Sequence, residues 1–169
     1  MNKIEIALNR IKSDVVDSFA THSFRVTREE ICVDKEYAYF IVYSATYGME
    51  VDTFIHLSPN RMVASIKLVN VSKMKFFPML EMINLINMDL DYGHLILMNG
   101  SQDLLLEAKL FLSDNAANKE MISLMIKSLV NNCYCYLPLV ERLLTTSEEP
   151  WNIYDKYYDP ARLLIQDTL

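Results

Sequence analysis

From Phe24 to Val71 apolar residues recur at every second position, whereas before and after that tract they recur every three to four. Strands alternate faces with a period of two and helices repeat every 3.6 residues, so the chain has to combine both. Within the tract, Phe24 and Val26 are apolar at even positions but Ile31 and Val33 at odd ones, which predicts a bulge near Thr27–Glu30. Tyr37 to Tyr47 is apolar or small on both faces, as an interior strand would be, and Gly48 ends it. Val51, Thr53, Ile55 and Leu57 alternate with Asp52 and His56, and Ser58-Pro59-Asn60 reads as a turn. Met62, Ala64, Ile66 and Leu68 then oppose Arg61, Ser65 and Lys67. Four consecutive strands with short turns make an antiparallel meander.

Helical spacing flanks the meander. Ile4, Leu8, Ile11, Val15 and Phe19 form one face of a first helix, and Met79, Leu80, Ile83 and Ile86 form the stripe of a second over Phe77 to Met88. Tyr92–Met98 and Leu104–Leu112 read as a hairpin about Asn99-Gly100. Asn118 to about Leu144 is the longest helical stretch, with Ile122, Met125, Ile126, Leu129, Cys133, Tyr136, Leu137, Val140 and Leu144 on its main stripe. Pro138 removes a backbone donor inside it, which predicts a kink or a break. Leu124, Tyr134 and Leu139 fall off that stripe, so a second face is available for a partner. Met125, Leu129 and Tyr136 are the candidates for self-association or partner contact. The expected class is therefore α+β, ordered helix, antiparallel meander, helix, β-hairpin, long C-terminal helix, in one domain over 1–144.

The segment 145–169 differs in kind. Its five acids, Glu148, Glu149, Asp155, Asp159 and Asp167, face only Lys156 and Arg162, and Trp151, Tyr154 and Tyr158 are spaced as one helical face. Those three aromatics are candidates for a tail contact, made either on the chain's own domain or on a partner. Asp159-Pro160 has the form of a helix start.

Composition narrows the function by exclusion. Sixteen basic residues against 22 acidic give a net charge of −6, which argues against nucleic acid as the main partner. Three glycines, Gly48, Gly93 and Gly100, cannot be spaced into a dinucleotide fingerprint or a phosphate-binding loop. Cys32, Cys133 and Cys135 form no CxxC, so buried reduced thiols in the cytoplasm are the expectation. No 18-residue apolar run predicts a membrane span. Asn87, Asp89 and Asp91 resemble the opening of a calcium loop, but the sixth position is Tyr92 rather than Gly and the twelfth is Met98 rather than Glu. His22, His56 and His94 form no metal-binding pair. Neither a catalytic constellation nor a cofactor motif is present, so no enzyme, metal or cofactor is expected. Six of the ten methionines, Met74, Met79, Met82, Met88, Met121 and Met125, lie in or beside the two later helices, where they can fill a core or line an adaptable surface.

Three short motifs in order carry a resemblance: Leu85-Ile86-Asn87 at the end of the middle helix, Tyr92-Gly93-His94-Leu95 leading into the hairpin, and Tyr136-Leu137-Pro138-Leu139 in the last helix. Over Leu80–Leu144 the chain resembles the YbjN family of proposed bacterial sensory transduction regulators, with a type III secretion chaperone-like fold. Leu95 stands where an aromatic is more usual. The resemblance implies a bacterial, non-enzymatic, cytoplasmic protein, homodimeric, acting through contacts with a protein partner or client segment. The alternatives are a dedicated secretion chaperone for one effector and a small-ligand sensor with a pocket between sheet and helices.

Overall fold

A computed structural model describes residues 24–32, 37–44, 49–58, 61–111 and 119–158, with Ile6, Asn9, Arg10, Ser13, Asp14, Val16, Asp17 and Ala20, all helical, before them. Side chains on the first three strands, apart from Arg28 and Glu30, lie outside this description, as do the Ser58–Asn60 turn beyond Ser58 and the Asp159-Pro160 helix start.

The period-two tract forms β1 (Phe24–Cys32), β2 (Tyr37–Ser44), β3 (Met49–Ser58) and β4 (Arg61–Asn70), each antiparallel to the next. The register of β1 on β2 shifts between Val26 and Arg28, where the change of parity predicts a bulge. The later hairpin, β5 (His94–Leu97) and β6 (Asp103–Phe111), joins this sheet through β6, which pairs with β4. One six-stranded sheet results, in the order β1-β2-β3-β4-β6-β5.

Helix α1 (Phe76–Asp89) connects β4 to β5, and α2 (Lys119–Thr145) follows β6. Both pack on the sheet, α1 against β5 and α2 against β4 and β6. Met62, Ala64 and Ile66 of β4 and Leu104, Leu106, Ala108 and Leu110 of β6 meet the buried sides of the helices in one core. Burying each of the larger side chains, Met62, Ile66, Leu104, Leu106 and Leu110, contributes about 1.5–3 kcal/mol. Alternation in β6 holds, with Lys109 exposed between buried Ala108 and Leu110, and Phe111 exposed after them.

Three local expectations change. On α1 the buried face is Met79, Met82, Ile83 and Ile86, while Leu80 is 36% exposed. The buried four follow i, i+3, i+4, i+7, and Leu80 lies about 100° beyond Met79 on the wheel. Pro138 does not break α2, which continues to Thr145. It lies on the exposed side, where water can serve the carbonyl that loses its donor, and Leu139, Val140 and Leu143 beyond it are anchored in the core. The hairpin loop is longer than an Asn-Gly pair would make it. Met98 receives a backbone hydrogen bond from Gln102, and the left-handed residue is Gln102, at φ 59°, rather than Gly100. Asp103 opens β6 and accepts from Lys67 (2.7 Å) and Asn70 (3.2 Å). Hydrogen bonds from Lys67, Ser101 and Asn70 hold its carboxyl down at about 2.

Candidate interaction surface

The motif residues in the middle of the chain close one edge of the sheet. β5 is an outermost strand, so the backbone of Leu95 would face outward unpaired. Asn87, in the last turn of α1, supplies both missing partners. Its Nδ2 donates to the Leu95 carbonyl at 3.0 Å, and its Oδ1 accepts from the Leu95 N–H at 2.7 Å. The carboxamide thus stands in for a neighbouring strand. The turn between them depends on Gly93, whose φ is +85° and where a Cβ would lie 2.9 Å from the Glu107 carbonyl oxygen. Asn132 of α2 donates to the Tyr92 carbonyl at 3.0 Å and ties this turn to the long helix. Asn87 is therefore committed to Leu95, and Asp89 accepts from the Tyr154 hydroxyl. Among the described residues no group of three or more His, Cys, Asp or Glu could hold a metal ion.

The acidic aromatic segment is packed on the chain itself over its described part. It forms α3 (Pro150–Tyr157), with Pro at a first-turn position, and Pro150 and Ile153 are buried against α1 and α2. Tyr158 stacks between Tyr154 (4.8 Å between centroids) and Tyr136 of α2 (5.9 Å). Arg142 lies 4.0 Å over the Tyr157 ring and pairs with Glu148, and Lys75 donates to the Thr146 carbonyl. Burial, reinforced for Tyr154 by its bond to Asp89 and for Tyr136 by Tyr158, pushes both hydroxyls above the ordinary tyrosine range. Trp151, the third candidate, is 59% exposed and takes no part in this stack.

The three residues expected to form a contact face on the long helix do not lie on its surface. Met125, Leu129 and Tyr136 are each 1% exposed or less and belong to the core beneath α2. Helical periodicity marks the arc of α2 that faces the sheet, and these residues lie in that arc. Cys133 shares it, and burial, with Cys135 and Glu141 adding, pushes its thiol up to about 12. The off-stripe residues divide: Leu139 is buried, whereas Leu124 is 65% and Tyr134 37% exposed. Met121, in the first turn of α2 and one turn before buried Met125, is 49% exposed. The methionines divide similarly, with Met79, Met82 and Met125 in the core and Met74, Met88 and Met121 exposed.

This six-stranded antiparallel sheet with its helices is similar in fold to a known protein. The crystal structure of YbjN from E. coli, for which a role as a transcription regulator has been put forward, superposes with a TM-score of 0.55. The match covers 80% of this chain and 90% of that one, at 14% sequence identity. The fold is thus α+β and YbjN-like, as the short motifs imply. No family model matches the sequence, and no curated protein matches it. No described helix is long and apolar enough to cross a membrane.

Proposed function

We propose that the chain is a non-enzymatic regulatory or chaperone-like protein of the cytoplasm, acting by protein–protein contact through the outward face of α2. The observation that carries this reading is that Leu124 stands 65% exposed on a helix whose opposite face already fills the core. Two features favour a side-chain contact over addition of a strand. Asn87 occupies the β5 edge at Leu95, and β1, the other outermost strand, carries a bulge and the exposed charges Arg28 and Glu30. The regulatory role put forward for YbjN is compatible with this reading.

The test is capture of tagged wild-type chain and of Leu124→Glu from the source cells. A stoichiometric partner held by the wild type and lost from a folded Leu124→Glu supports the proposal. Equal capture by both variants, or none by either, overturns it.

A further inference from the structure

Helix α3 is held to the rest of the molecule by few buried contacts. Of its eight residues only Pro150 and Ile153 are buried, and Ile153 belongs to the same cluster as Met79 of α1 and Val140 of α2. The remaining anchors are polar or half-buried. Tyr154 donates to Asp89, Tyr158 stacks on Tyr136, and Arg142 meets both Tyr157 and Glu148. A helix this short falls below the ~12–15 residues at which isolated helices become even marginal in water, and its N-cap Glu149 makes no side-chain cap bond. Docking between α1 and α2 therefore keeps α3 helical, and the cleft that receives it is a binding site for a short helix. That site is imperfectly filled at one atom. Glu148 pairs with Nη2 of Arg142, whereas Arg142 Nε is buried with no hydrogen-bond partner among the described residues. A carboxylate lying in the guanidinium plane would accept from both nitrogens.

We infer that the cleft between α1 and α2 is a docking site for an acidic amphipathic helix of a protein partner, and that α3 is the autoinhibitory occupant which that helix displaces. What α3 presents defines the partner. It needs two apolar side chains three residues apart in the places of Pro150 and Ile153, and a hydroxyl donor for Asp89 in the place of Tyr154. Ahead of these it needs a carboxylate in the place of Glu148, aligned to engage Nε of Arg142 as well as Nη2. The tether gives α3 a high effective concentration, so a competitor's apparent affinity is reduced by the fraction of chains with the cleft open. Two-pronged binding of Arg142 supplies the margin by which a partner prevails over α3. Displacement withdraws only Pro150 and Ile153 from burial, which leaves the sheet with α1 and α2 in place. Arg142 lies about five turns along α2 from Leu124, so the cleft is a site separate from the outward face of that helix.

The probe is a fluorescently labelled peptide of residues 148–158, titrated with the full chain and read by anisotropy. Wild type should bind it weakly, because its own α3 competes. Ile153→Glu, which unseats α3, should bind roughly tenfold tighter, and Tyr154→Phe, which loses only the bond to Asp89, roughly threefold tighter. Glu148→Gln in the peptide should weaken binding to the Ile153→Glu chain, and the difference should vanish when that chain also carries Arg142→Ala. In the unaltered chain, native-state hydrogen exchange should show the α3 amides opening on their own, faster than those of α1 and α2. Exchange of α3 only together with α1 and α2, equal affinity of wild type and Tyr154→Phe, or no binding by a folded Ile153→Glu chain would each overturn the proposal. Where Ile153→Glu does not fold, Tyr154→Phe and the exchange rates decide it. Leu124→Glu should leave peptide affinity unchanged, so failure here is distinguishable from failure of the α2 proposal.

Discussion

The inward and outward faces of α2 are chemically alike and physically opposite. Leu129 on one side and Leu124 on the other are the same residue type, about 140° apart on the wheel, yet the first is fully buried and the second 65% exposed. Residue type therefore does not distinguish a core contact from a contact surface on this helix. What distinguishes them is whether the sheet and α3 already cover the arc. An apolar arc left uncovered contributes little to folding, and its value has to be sought in binding.

That difference can be broken or sharpened by substitution. Leu129→Ala should cost the most, about 2–5 kcal/mol of unfolding free energy in chemical denaturation, because it opens a cavity between α2 and the sheet. Asn87→Ala should cost about 1–3 kcal/mol, since both Leu95 backbone groups lose their partner. That variant also uncovers the β5 edge, so it should associate through strand pairing and show a mass that rises with concentration. Gln102→Gly should stabilise by about 1 kcal/mol, because it relieves a left-handed residue in the hairpin loop. Leu124→Ala should be smallest, within about 0.5 kcal/mol of the wild type. A loss there as large as at Leu129 would erase the distinction between the faces. Thiol labelling sharpens it further: Cys133, with its thiol pushed up to about 12, should react at the rate of unfolding. An introduced Leu124→Cys should react at once.

Much of this was legible in the residues. The strands and the bulge after Val26 follow from the pattern of apolar residues, and the Asn-Gly pair marks where the hairpin turns, though its left-handed residue is Gln102. The motif Leu85-Ile86-Asn87 marks a helix end, but the clamp of Asn87 on Leu95 is a contact between elements that spacing alone does not reveal. The candidates for a contact face lie in the core for a related reason. Apolar residues surround α2 on more than one side, and periodicity identifies the richest arc, which is the one that folding consumes. Met125, Leu129 and Tyr136 belong to that arc, while Leu124 stands outside it. The tail could be read either way from sequence. Its aromatic spacing predicts a helical face, and only the position of Tyr136 and Asp89 shows where Tyr158 and Tyr154 go.

The most direct test of the outward face is site-specific photocrosslinking in the source cells, with a benzophenone amino acid at position 124 and, as a control, at the exposed Lys109 of β6. A discrete protein adduct from position 124 and none from position 109 is the expected result. No adduct from position 124, or the same adducts from both, would contradict a contact surface on α2.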